Sequence, residues 1–241
     1  MDDCGHIVLD GASNVRYVTW VLGARAPATG CVVRSANLDQ LSAAGLSRFG
    51  ELRVAIVIDL RGKAEAAAAP QLDGATRLHL PIEPTVAADL AAERAAGMLS
   101  ADSAMRVMER TYRNYIVDHA AVFAELLHHV AAANNKSVLF HCAAGKDRTG
   151  VAAALVLTAL DVPPATIMED YLLSNRFYRP TSARAADIPD DVRDAIIRVR
   201  PSYLEAAFAA MTEGWGSPGE YLEKALGIGP SERAAMRKAI A

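Results

Sequence analysis

The chain has 241 residues, 52% of them apolar, which suits one α/β domain with a sizeable core. Its net charge of −3 excludes a global basic field that would draw it to nucleic acid or an anionic membrane. Three cysteines, Cys4, Cys31 and Cys142, are odd in number and far apart, so they form neither a disulfide framework nor a CxxC zinc site.

In chain order, the amino terminus "MDDCGHIVLD" lacks the apolar core of a signal peptide. No later run approaches the ~18 apolar residues of a membrane span. The expectation is a protein without stable membrane insertion, cytoplasmic by default, with export lacking a classical signal left open. "LSAAGLSRFG" reads as a helix with Leu41, Leu46 and Phe49 on one face. "VAIVIDL", Val54 to Leu60, is the first strong strand, a β-branched apolar run fit for the middle of a sheet. "RLHLPI", Arg77 to Ile82, is a shorter one. Residues 86–130 read as a helical insert in which Met108, Tyr112, Tyr115, Ile116 and Phe123 fall near one face. Such a stripe normally packs into a core; the minority reading is a lid over a site.

"SVLFHC", Ser137 to Cys142, is the next strand, and "RTGVAAALVLTAL" follows as a buried helix that stops before Asp161 and the breaker pair Pro163-Pro164. Residues 164–241 read as a helical tail. Within it "SPGEYLEKALG" carries a capping box, with Ser217 as cap, Pro218 first and Glu220 third, and Gly227 as its stop. The fold class expected is α/β, a single domain over 1–241, with a mostly parallel central sheet flanked by helices.

The chemistry concentrates in His141 to Gly150, "HCAAGKDRTG". Five residues separate Cys142 from Arg148, and they lie between a buried strand and a helix. A loop of that length can curl until its N–H groups share one centre, to which the helix N-terminus adds its positive end. Ala143, Ala144 and Gly145 offer little side chain to obstruct a tetrahedral dianion there. Arg148 can fork onto two phosphate oxygens, which a lysine cannot do. The same field favours a thiolate at Cys142, a nucleophile for covalent catalysis. Thr149 can donate to the sulfur, His141 can brace the loop, and Lys146 can raise the local potential or meet a second phosphate. Asp147, inside the loop, is the first candidate general acid. A Walker A loop is excluded by Phe140 and Asp147 at its defining positions. No metal or organic cofactor is required.

C-x5-R followed by Thr-Gly resembles the signature loop of cysteine-dependent phosphatases. The fuller "HCAAGKDRTG" is similar to the bacterial tyrosine-phosphatase-like family, some members of which also act on phosphoinositides. "VVRSANLDQLSAAGL", "VIDLR" and "DYLLSN" resemble further segments of that family, so the likeness covers much of Arg34 to Asn175. One stretch departs from it: Asn14-Val15-Arg16 is followed by "YVTWVLG" where such proteins often carry Asp-x-Gly-Gly after the arginine. The resemblance implies hydrolysis of phosphotyrosine, and of phosphoinositide monoesters as an extension, through a phosphocysteine. The partners are then phosphorylated protein or phosphoinositide substrates.

Two other classes compete. One is a phosphate-binding module without turnover; the other is a rhodanese- or arsenate-reductase-like thiol enzyme, for which no resolving cysteine lies near Cys142 in sequence. Asp59 ends the first strong strand, where α/β sheets face their ligands, so it is a candidate to orient Arg148 or protonate a leaving group; otherwise it is a turn aspartate. Arg34 is expected to fix the loop. "GWGSPG" matches GxGxxG but follows a helix and reads as a turn, and the arginines of "RDAIIRVR" read as a solvated face.

Overall fold

The computed structural model describes residues 5–23, 30–67, 70, 72–180 and 188–240; Cys4 lies outside them. The first half contains β1 (Arg16–Tyr17), a 3-10 turn (Val18–Leu22), β2 (Val32–Ser35), α1 (Ala43–Glu51), β3 (Val54–Asp59) and β4 (Thr76–His79). The insert holds α2 (Val86–Ala95), α3 (Ala101–Asp118) and α4 (Ala120–Ala131). Then come β5 (Ser137–His141), α5 (Arg148–Ala159), α6 (Pro164–Leu172), α7 (Ser174–Phe177), α8 (Asp190–Ile197), α9 (Pro201–Trp215), α10 (Pro218–Lys224) and α11 (Pro230–Ile240).

The strands form one sheet in the order β1-β2-β5-β3-β4. Only β1 is antiparallel to its neighbour. The sheet is thus mostly parallel and flanked by helices, as the sequence leads one to expect. β5 is buried at all five positions because helices cover both faces, and that explains its unbroken apolar run. Its side chains alternate between two cores: Val138 and Phe140 enter the larger, Leu139 the smaller. The larger core holds α5 and the tail helices; the smaller holds Phe49 of α1 with Ile7 and Leu9. α5 is apolar all round because it is enclosed, with every residue from Arg148 to Leu157 buried.

Two features differ from the sequence expectation. β1 and β2 carry no strand signal strong enough to read, yet β2 sits beside β5 at the heart of the sheet. The insert breaks at His119 into α3 and α4, and its aromatic stripe is core: Val107, Met108, Tyr112, Tyr115 and Ile116 are buried on one face of α3. Half of the α10 capping box forms, with Ser217 accepting from the Glu220 amide and Pro218 in the first turn, while the Glu220 carboxylate accepts from the Ser217 hydroxyl at 3.3 Å rather than from its amide.

Register positions the site. His141 pairs with Ser35 on one side and Asp59 on the other, so three strands end level at the carboxyl edge. Open α/β sheets place their ligands at that edge.

Candidate active site

The loop from Cys142 to Asp147 leaves β5 and enters α5, whose first residue is Arg148. Its carbonyls are tied to surrounding segments. The Asn37 amide donates to the Ala143 carbonyl at 3.0 Å. Asn14 Nδ2 donates to the carbonyls of Ala144 (3.3 Å) and Gly145 (2.7 Å), and Arg34 Nη2 donates to that of Gly145 (2.9 Å). In a trans peptide the next N–H points opposite the carbonyl. The amides of Ala144, Gly145 and Lys146 therefore face away from these ties. Among the described residues none of the three has a protein acceptor. Gly145 is required here. Its φ is +65°, and a Cβ would lie 2.4 Å from the Ser35 carbonyl oxygen.

Behind the loop, two buried arginines share one carboxylate. Asp170 accepts from Arg16 Nε at 3.0 Å and Arg34 Nη1 at 2.6 Å, and Trp20 Nε1 adds a third donor at 3.1 Å. Burial would raise the Asp170 carboxyl, but the two guanidinium groups hold it below the ordinary range. Two cations against one anion leave positive charge beneath the loop, which favours a bound dianion. Asn14 and Arg16, just ahead of the stretch that departs from the family pattern, thus supply two braces. Arg34 fixes the loop as expected from sequence.

Arg148 is held by a residue that sequence reasoning missed. Glu65, in the turn after β3, accepts from Nη1 at 2.6 Å and from Nη2 at 3.1 Å. Nη1 also donates to the Ile82 carbonyl at 3.0 Å. Counting donors, the Nε–H and one Nη2–H have no protein acceptor among the described residues, so one edge of the fork remains for a ligand. Glu65 would be raised by burial, yet the hydrogen bonds and charge of Arg148 hold it below the usual carboxylate range. Only the alanine-rich composition of "RGKAEAAAAP" marks that turn; nothing in it singles out the glutamate.

The other expected residues fall as follows. Cys142 is buried at the start of the loop, 1% exposed. Thr149 Oγ1 is buried with no hydrogen-bond partner among the described residues. His141 is buried, with Nδ1 3.3 Å from the Cys142 carbonyl oxygen; burial pushes it down to about 4, so it is neutral near pH 7. Asp147 Oδ1 accepts from the Tyr112 hydroxyl at 2.9 Å, which accepts in turn from Tyr171 at 2.7 Å. Lys146 neither meets solvent nor stands free: it is buried, and Nζ donates to the Ile196 carbonyl at 2.7 Å and Asp147 Oδ1 at 3.2 Å.

Asp59 stands apart from Arg148. Arg61 Nη2 and Arg77 Nη2 bind its Oδ2 at 2.8 and 2.7 Å, and His141 Nε2 is 3.7 Å away. Burial would raise its carboxyl, but Arg61, His141 and Arg77 hold it well below the usual range. The orienting part that the sequence offered to Asp59 is taken by Glu65. The arginines Arg193, Arg198 and Arg200 all pair with Asp190 or Asp194. No group of three or more His, Cys, Asp or Glu among the described residues is placed to hold a metal ion.

A mostly parallel sheet that presents an amide-lined loop and an arginine at the end of its central strand defines a phosphatase-type α/β fold. Residues 7–241 match the tyrosine phosphatase family, and the chain belongs to it. It is 34% identical to a protein named as a tyrosine-protein phosphatase in Cupriavidus necator, over 92% of this chain and 84% of the relative. It is 32% identical to the triple specificity protein phosphatase PtpB of Mycobacterium tuberculosis, over 95% of this chain and 96% of the relative. A tyrosine-protein phosphatase of Nostoc commune is 28% identical over 95% and 81%. The chain is accordingly a phosphoric monoester hydrolase of the protein-tyrosine phosphatase type.

Proposed function

We propose that this enzyme hydrolyses phosphotyrosine monoesters through a phosphocysteine on Cys142. The observation that carries the reading is the loop whose carbonyls are tied outward by Asn37, Asn14 and Arg34, next to the open edge of Arg148 and the buried Cys142 thiol. Three unengaged amides and two guanidinium N–H groups match the oxygens of a transferring phosphoryl group.

In the first step the Cys142 thiolate attacks phosphorus. The S–P bond forms as the bond to the leaving oxygen breaks, and Asp147 hands its carboxyl proton to that oxygen. In the second step water attacks phosphorus, the S–P bond breaks, the thiolate returns and Asp147 receives the water's proton. Thr149 Oγ1, without another partner among the described residues, is available to donate to the returning thiolate. Asp147 is preferred as the acid because it lies inside the loop that holds the phosphoryl group, whereas Asp59 is captured by Arg61 and Arg77.

Phosphoinositides belong in the substrate panel because "HCAAGKDRTG" resembles the loop of a family some members of which act on them. Lys146 gives them less support than the sequence did. Its ammonium would have to leave Ile196 and Asp147 to meet a second ring phosphate.

The test is Cys142→Ser. Turnover of p-nitrophenyl phosphate should vanish while tungstate still binds, since the amides and Arg148 remain. Persistent turnover refutes the covalent route. A wild type that binds tungstate without hydrolysis would be a phosphate-binding module instead.

A further inference from the structure

Tyr112 and Tyr115 lie one turn apart on the buried face of α3, their rings 5.6 Å apart. The Tyr112 hydroxyl is fully engaged, donating to Asp147 and accepting from Tyr171. That of Tyr115 is not. The side chain is 5% exposed and packs in the same cluster as Cys142. Its ring meets those of Tyr112 and His119. Among the described residues no donor or acceptor meets its hydroxyl. Its oxygen is not one of the enclosed polar atoms left without a partner, so it opens to solvent while the ring is buried, and a donor left open in this way is available to a partner that arrives with the substrate.

The charged groups that act on this hydroxyl are those of the site: Asp147, Arg148, Cys142 and Glu65. Burial, and then the Asp147 carboxylate, raise its ionisation well above the ordinary tyrosine value, so it stays a donor. Inventory makes a donor useful. A phosphoryl dianion only accepts hydrogen bonds, and the loop amides with Arg148 all reach it from the strand-to-helix junction. Tyr115 would bring a donor from a different element, the helical insert.

We propose that the Tyr115 hydroxyl is a substrate-binding group that donates a hydrogen bond to a non-bridging oxygen of the phosphoryl group held over Cys142. This rests on the phosphatase reading and adds the insert to the catalytic centre. It also separates two neighbouring tyrosines: Tyr112 acts through Asp147, Tyr115 on the substrate itself.

The experiment compares the full-length wild type with Tyr115→Phe and Tyr112→Phe, by tungstate titration calorimetry, steady-state kinetics on p-nitrophenyl phosphate and thermal melting. For Tyr115→Phe, tungstate affinity and kcat/KM should each fall about tenfold, equivalent to ~1.4 kcal/mol, with the melting midpoint unchanged or higher. For Tyr112→Phe, kcat should fall while tungstate affinity holds. Tyr115→Phe within twofold of an active wild type in both readouts overturns the inference alone, as does a loss that merely follows a lowered melting midpoint. A wild type that neither binds tungstate nor hydrolyses the ester overturns the phosphatase reading and the inference with it.

Discussion

Replacing Glu65 by glutamine isolates how much of the rate depends on holding Arg148 still. The two carboxylate oxygens accept from Nη1 and Nη2 at 2.6 and 3.1 Å, with side chains 25% and 8% exposed. Glutamine keeps the length and one acceptor oxygen but turns the other contact into N–H against N–H. One charge-assisted hydrogen bond is lost, worth about 1.5–3 kcal/mol when buried; the exposed quarter of Glu65 places it at the lower end. Two effects then oppose each other. Arg148 loses orientation, but its charge is no longer shared with a carboxylate. Ground-state binding depends mainly on the charge, whereas the transition state needs the fork aligned. We therefore expect kcat to fall about 10- to 100-fold and tungstate affinity to change by less than about threefold. In the wild type the Glu65 carboxyl is depressed, so its contribution is present above the ordinary carboxylate range and is lost as pH falls through the depressed value. Steady-state kinetics and tungstate calorimetry at pH 7 decide the matter. An unchanged kcat, or tungstate affinity falling in parallel with kcat, refutes the proposed division between charge and alignment.

Asp147→Asn should reduce hydrolysis of an alkyl phosphate at least tenfold more than that of p-nitrophenyl phosphate, because only the poor leaving group needs a proton; equal losses would make Asp147 a positioning residue. Gly145→Ala should abolish turnover and lower the melting midpoint, since its Cβ would meet the Ser35 carbonyl oxygen at 2.4 Å with φ at +65°; an active variant with an unchanged midpoint contradicts that approach. Burial pushes His141 down to about 4 in the folded chain, below the ~6.5 of an unfolded histidine, so the unfolded state binds more protons between those values. Stability should therefore drop as pH falls through that window, by about 2 kcal/mol at pH 5 from this residue. Denaturant titrations of wild type and His141→Gln at pH 7.5 and pH 5 read the difference, and identical pH slopes would count against it.

The strands and the loop were legible where their chemistry is local. β3 and β5 announce themselves as β-branched apolar runs, and the small residues between Cys142 and Arg148 mark a cradle because nothing else explains them together. β2 was not legible: "VVRS" is too short, with an arginine in a position that looks exposed until Asp170 is brought beside it. Glu65 and Asn14 escaped for the same reason. Each acts through hydrogen bonds to a partner far along the chain, and neither has a periodicity or neighbours that foretell it. Asp59 shows the converse. Its place at a strand end was read well, but position alone cannot tell whether a carboxylate faces substrate or is captured by Arg61 and Arg77.

The knot around Asp170 has a consequence in time. Arg16 lies 154 residues and Arg34 136 residues from their shared carboxylate, and Asn14 lies 131 residues from the loop carbonyl it holds. Contacts of such span close late, because the chain entropy they cost is recovered only once the elements between them have docked. The helices can thus form and pack while the cradle is still without shape. A refolding chain should regain its helical signal before its first turnover, and catalytic competence becomes the last property the molecule acquires.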